Sequence, residues 1–272
     1  MAQLTTHTTT LASAGDELLY RQENGIGIVT FNRPQQRNAL TFGMYERLGQ
    51  ICRDAKLGGD VKVIVVTGAG DKAFAAGTDI AQFRSFTTGE QGVAYEAKMA
   101  HEFAAIDGCA VPVIAAISGA CTGGGAAIAA CCDIRVATAD MKYGFPIART
   151  LGNCLSAASL SKLVSIVGAP RVADMILTTR LIEAPEALAS GLVTYVLPDH
   201  AAMMAQAMAL AARITTHAPI TMNVTKELLR RLRTEGNGFD DRAYTARAYG
   251  SADFREGLDA FLTKRTPQWT GK

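Results

Sequence analysis

Residues 111–132 carry no charged side chain, and any fold for this chain has to bury them or shield them. At about 20 residues, such a run is long enough to cross a bilayer as a helix. Its punctuation argues against that. Gly119 and the triplet Gly123, Gly124 and Gly125 divide it into a β-branched run and a small-residue run, the pattern of a buried strand, a turn and a short helix. The expectation is therefore an interior strand at 111–117, a helix at 124–132 and no membrane span.

The same alternation recurs along the chain. GIGIVTFN at 25–32 and VKVIVVTG at 61–68 are β-branched runs closed by Asn, Pro or Gly; both read as strands, the second buried on both faces. Between them, Met44, Leu48, Ile51 and Ala55 recur at helical spacing behind Thr41, a suitable N-cap, which predicts a helix over 41–56. A further strand is expected at 134–137. Alternating strands and helices define the α/β class with right-handed crossovers, and the weak repetition of a strand-strand-helix unit suggests a coiled succession of turns. From Ala157 onward helices are expected at 160–167, 171–177, 185–190, 201–214 and 221–233. The expected division is a flexible tail at 1–15, rich in Thr, Ser and Ala, a core at 16–195 and a helical region at 196–272. The change falls near 191–198, with no low-complexity tract between the parts.

Charge and cysteine usage exclude several classes. The 27 Lys and Arg against 25 Asp and Glu leave a formal net charge of +2, too small for a dedicated nucleic-acid binder. Cys52, Cys109, Cys121, Cys131, Cys132 and Cys154 form no CxxC pair, so buried reduced thiols are expected, without structural disulfides or a metal site. No cationic-then-apolar leader follows Met1, which points to a cytoplasmic protein.

Two glycine-centred turns carry the chemistry: FAAGTDI at 74–80 and GACTGGG at 119–125, each at a strand exit leading toward a helix. Small residues let a ligand approach the backbone closely, and a helix N-terminus leaves its first amides unpaired and positively polarised. Two such amides converging on one point would hold a developing enolate or tetrahedral oxyanion, an effect worth about 3 kcal/mol per donor in a water-poor site.

These turns, with FNRP and RNAL at 31–40, TGAGDKAFAAGTDI at 67–80, PVIAAISGACTGGGAAIAACCDIRVAT at 112–138, LASGLVTYVLP at 188–198 and SADFREGLDAFLTKRTPQW at 251–269, resemble the crotonase (enoyl-CoA hydratase/isomerase) superfamily from Gly25 to the end. The resemblance implies a spiral of strand-strand-helix turns with a C-terminal helical trimerisation region, assembled as a trimer or a dimer of trimers. It implies an acyl-coenzyme A thioester as substrate, with coenzyme A part of that substrate and no further cofactor. Carried over, the oxyanion-hole amides are those of Thr78 and Gly124. The adenine and pantetheine arm would lie along Ala39 and the stretch Ala76, Thr78, Asp79, Ile80 and Ala81, and Lys264 and Arg265 match a basic pair that reaches the nucleotide from a neighbouring subunit.

The sequence also departs from the family's hydratases, which use two glutamates as general base and acid. Ala127 stands three residues after Gly124 where the first would be, and Ile147 follows Pro146 where the second would be. The segment 147–154 is one residue longer than the usual spacing. Candidates near the gap are Arg149, which could clamp a carboxylate or polarise a thioester, and Cys154, a nucleophile or weak acid. Asp79, Asn153, His101 and Cys121 are weaker, Asp79 being suited to cap a helix, and Asp133 reads as structural. The expected function is an acyl-CoA enzyme stabilising an enolate or oxyanion. Isomerase, thioester hydrolase or decarboxylase chemistry competes with hydration, and a non-catalytic acyl-CoA binder stands as the alternative.

Overall fold

The computed structural model describes residues 9–10 and 16–272. The tail expected at 1–15 lies outside the described residues except for the backbone of Thr9–Thr10 (β1), which pairs antiparallel with Leu18–Glu23 (β2). Next come Ile26–Phe31 (β3), Phe42–Asp54 (α1), Val63–Gly68 (β4), Ala73–Ala75 (β5), Gly89–Asp107 (α2) and Val113–Ile117 (β6). Ala120–Thr122 (β7), Gly124–Cys131 (α3), Ile134–Thr138 (β8), Lys142–Gly144 (β9) and Ile147–Thr150 (α4) form the middle. Ala157–Val167 (α5), Ala169–Leu177 (α6), Ile182–Glu183 (β10), Ala184–Ala189 (α7) and Tyr195–Leu197 (β11) lead to the C-terminal helices His200–Ile214 (α8), Pro219–Glu235 (α9), Arg242–Tyr249 (α10) and Ala252–Thr263 (α11).

The strands build a large sheet in the order β1-β2-β3-β4-β6-β8-β11 and a small one in the order β10-β9-β7-β5. β4 and β5, β6 and β7, and β8 and β9 each place one strand in either sheet, and the chain returns through helices to begin the next turn. Within the large sheet β3, β4, β6, β8 and β11 run parallel. This is the α/β spiral of strand-strand-helix turns anticipated above.

The period-2 geometry of β4 explains why its sequence is continuously apolar. Val63 and Val65 face a core shared with Met203, Ala207 and Leu210 of α8, whereas Ile64 and Val66 face a second core with Leu48 of α1 and Ile128 of α3. Full burial of each such side chain stabilises by about 1.5–3 kcal/mol before entropy is counted. The uncharged run at 111–132 resolves into β6, β7 and α3, and among the described residues no helix is long and apolar enough to cross a membrane. Helix α1 starts behind Thr41 as expected, with the Thr41 amide donating to the Met44 sulfur and its hydroxyl to Glu17. The expected boundary near 191–198 contains β11, the last strand of the large sheet. Beyond α8, Leu229, Leu232, Tyr249, Leu258, Phe261 and Leu262 are exposed.

Candidate functional site

The two glycine turns meet because β5 and β7 are parallel neighbours, Ala75 standing opposite Cys121. A Cβ added to Gly125 would lie 2.3 Å from the Ala75 oxygen, so glycine is what lets the first turn of α3 settle on β5. Tyr143 holds the helix from the other side, its buried hydroxyl donating to the Ala126 oxygen at 2.8 Å.

Backbone pairing then aims two amides outward. Leu40 donates to the Gly77 oxygen and accepts from the Asp79 amide, both at 2.8 Å, so the N–H of Thr78 between them points away from Leu40. Gly124 is the first residue of α3, where no preceding carbonyl can accept. Among the described residues neither amide has an internal acceptor. The turns are in contact: a Cβ on Gly123 would stand 3.4 Å from the Gly77 Cα, and one on Gly124 would stand 3.1 Å from Thr78 Oγ1.

Three hydroxyls gather at the same point. Tyr45 and Thr78 hydrogen-bond at 2.8 Å, and Thr78 and Tyr95 approach to 3.3 Å. Burial pushes both phenols above their ordinary range.

A cavity of about 200 Å³ opens in front of the amides, walled by Met99, Phe103, Ala127, Phe145 and Ile147. Ala127 and Ile147 thus face the cavity with apolar side chains. Past Phe83, Tyr95, Glu96, Leu151 and Cys154 it continues into an outer groove of about 600 Å³, floored by Phe86 and Val93.

The anticipated residues divide. Thr78, Gly124, Ala76, Ile80, Asn153 and Cys154 line the cavity. Ala39 lies beside them, since Leu40 bridges to Thr78 and the Ala76 amide donates to the Arg37 oxygen at 3.0 Å. Asp79 caps the 3-10 turn Ile80–Phe83, accepting from the Ala81 amide at 3.1 Å, and pairs with Arg33 at 2.9 Å. The Arg33 guanidinium, then the Ala81 amide, hold its carboxyl below the usual range. Ala81 is exposed on that turn.

Arg149 does not face the cavity. Helix α4 is a single turn, and because residues two apart lie roughly 200° apart around a helix, burial of Ile147 turns Arg149 outward, where it is exposed. His101 is likewise exposed on the far side of α2, 3.3 Å from Arg53. Cys121 is fully buried, and that burial raises its thiol well above the ordinary range. Five cysteines are buried free thiols and Cys154 is exposed. Lys264 caps α11 and is exposed without an ion pair among the described residues, whereas Arg265 is tied to Glu256 and Asp259, both at 2.6 Å. Asp133 accepts from the Val113 amide at 2.7 Å and pairs with Lys226, a structural role as expected.

Sequence reasoning missed Glu96. It shares the inward face of α2 with Met99 and Phe103 at helical spacing and is the one carboxylate lining the cavity among the described residues. No cation pairs with it among these residues. Desolvation raises its pKa, and a hydrogen bond from the Ser156 backbone only partly opposes this.

The family model for enoyl-CoA hydratase/isomerase matches residues 21–272. The Dictyostelium discoideum protein named "Probable enoyl-CoA hydratase, mitochondrial" is 31% identical, with 91% of this chain and 88% of that protein covered. The short-chain-enoyl-CoA hydratase of Clostridium acetobutylicum is 29% identical over 92% of this chain and 96% of its own length. The crystal structure of an enoyl-CoA hydratase/carnithine racemase from Magnetospirillum magneticum superposes with a TM-score of 0.87 at 33% identity, covering 95% of this chain and 97% of that one. The chain belongs to the enoyl-CoA hydratase/isomerase family, the crotonase superfamily whose motifs it carries.

Proposed function

We propose that this protein is an acyl-CoA enzyme that seats the thioester carbonyl between the amides of Thr78 and Gly124 and stabilises the enolate or oxyanion formed there. The observation that carries this reading is that Thr78 and Gly124, whose amides have no acceptor among the described residues, line one mostly apolar cavity. Placed in such a cavity, preorganised donors stabilise the charged state without reorganising, and removal of one such donor costs about 10²- to 10³-fold in rate. The coenzyme arm then runs along Ala39, Ala76, Asp79, Ile80 and Ala81, with Lys264 supplied by a neighbouring subunit of a homotrimer or dimer of trimers. Coenzyme A belongs to the substrate, no separate cofactor or metal takes part, and the protein works in the cytoplasm.

Ala127 and Ile147 disfavour hydration, which needs an activated water and a proton donor. Isomerisation, thioester hydrolysis and decarboxylation need enolate or oxyanion stabilisation without both glutamates. The same two residues favour a second reading, a non-catalytic acyl-CoA binder. Calorimetric titration tests the common core: acyl-CoA esters bind much more tightly than the corresponding free acids. Undetectable binding of every thioester by folded protein overturns the proposal. Incubation with a panel of acyl-CoA esters, followed by mass spectrometry, separates enzyme from binder, since a binder leaves all of them unchanged.

A further inference from the structure

Resting on the thioester reading above, we infer that Glu96 of α2 is the catalytic acid–base group of this site and exchanges a proton with carbon 2 of the bound acyl chain. No residue at the family's two glutamate positions can do this, because both side chains there are aliphatic. The chain instead brings a carboxylate to the cavity from a different element.

Four observations converge on it. Glu96 lines both the inner cavity and the outer groove, so an acyl chain running outward from the Thr78 and Gly124 amides passes its carboxylate. Its neighbours on that wall, Phe83, Met99, Phe103 and Leu155, are apolar, and no ion pair among the described residues accounts for a charge there. A half-buried carboxylate without an ion pair, on the wall of a mostly apolar cleft, is a candidate functional group. Ser156, the N-cap of α5, lines the outer groove with it, and its backbone partly offsets the desolvation of the carboxylate. Finally, Tyr95, its neighbour in sequence, lines the same cavity and brings its hydroxyl to 3.3 Å from Thr78, which places this turn of α2 beside the proposed oxygen-binding residue.

Four competing groups fail on geometry, whereas Cys154 lines the cavity with Glu96 as an exposed thiol. Asp79 is bound to Arg33 and the Ala81 amide, Cys121 is sealed in the core, and Arg149 and His101 point away. The elevated pKa of Glu96 suits the task, because a base closer to neutrality is better matched to proton transfer.

The step balances without a co-reactant. The Glu96 carboxylate takes the proton from carbon 2. The C–H electron pair becomes the C1–C2 double bond, and the carbonyl π pair moves to the oxygen held by the two amides. The carboxylic acid then returns a proton to the enolate. Between the two events it exchanges with water admitted by the open groove.

The experiment incubates the full-length protein with dodecanoyl-CoA, a saturated thioester, in heavy water and measures deuterium at carbon 2 by mass spectrometry, with calorimetry on the same samples. The wild type is expected to incorporate deuterium. Glu96→Gln loses exchange by about 10²- to 10⁴-fold while its Kd for the thioester stays within about threefold, and Glu96→Asp falls between the two. Wild-type binding without exchange, or undiminished exchange in Glu96→Gln, overturns the assignment of Glu96 but leaves the thioester site standing. If Glu96→Gln does not fold, full exchange by Glu96→Asp overturns the assignment equally, since a shorter carboxylate misplaces the base. Absence of thioester binding by the wild type overturns the site itself, and Glu96 with it.

Discussion

Replacing Gly124 by alanine tests how tightly the amide turn is packed. An added Cβ would lie 1.7 Å from the Tyr45 hydroxyl oxygen, 2.9 Å from Tyr45 Cζ and 3.1 Å from Thr78 Oγ1. Tyr45 cannot swing clear: it is 1% exposed, its ring packs edge-on against Phe103 at 6.0 Å, and its hydroxyl is bonded to Thr78. Overpacking of this kind costs about 1–3 kcal/mol. Breaking the Tyr45–Thr78 bond adds about 1 kcal/mol. The better helix propensity of alanine returns less than about 1 kcal/mol. Gly124→Ala should therefore destabilise by about 1–4 kcal/mol in urea unfolding, at unchanged m-value. Tyr45→Phe alone should cost about 1 kcal/mol through the lost hydrogen bond. Because it removes the atom in worst conflict, the double variant should be more stable than the sum of the single effects by at least about 1 kcal/mol. A Gly124→Ala protein within about 0.5 kcal/mol of wild type, or strict additivity with Tyr45→Phe, would refute this packing argument.

Crotonyl-CoA hydration should run about 10²- to 10⁴-fold below an ordinary hydratase rate, checked by absorbance of the enoyl thioester, because Ala127 and Ile147 cannot activate water. Glu96→Gln should raise Tm near neutral pH. The folded-state pKa of Glu96 is raised by desolvation, so its ionisation opposes folding above the unfolded pKa, and the gain should vanish as pH falls below the ordinary glutamate range. Gly92→Leu should leave Tm nearly unchanged, since a Cβ there meets nothing within 4 Å, yet weaken dodecanoyl-CoA more than acetyl-CoA by narrowing the outer groove; calorimetry compares the two. Sedimentation at micromolar concentration should show a trimer or a dimer of trimers covering Leu229, Leu232, Phe261 and Leu262, and a clean monomer would contradict it.

Features written in local pattern could be read from the sequence. β4 is a continuous apolar run because both its faces are covered, and α1 shows its inward stripe behind Thr41. The triple glycine marks α3 because only glycine fits against Ala75. The strand LLYRQE of β2 escaped because only Leu18 and Tyr20 on one face are buried, too short an alternation to register. The three-residue strands β5, β7 and β9 have no period to detect. At the site, the two glycine turns were accessible because helix starts and glycine-centred turns are sequence features, while the resemblance to the family singled out Thr78 and Gly124 within them. Which side chains face the cavity was not, because that depends on how whole helices are rotated. Arg149 and Glu96 illustrate this in opposite directions: one turn of α4 sends the arginine outward, and the packing of Met99 and Phe103 carries the glutamate inward.

The most direct measurement of the central claim is the carbonyl stretching frequency of an acyl-CoA bound to the protein, read by Raman difference spectroscopy. Two amide donors on the oxygen polarise the bond, so the thioester band should move to lower frequency on binding, and the shift should shrink in Gly124→Ala. A thioester that binds tightly with its carbonyl band where it stands in water would contradict the assignment of Thr78 and Gly124 as the oxygen's partners.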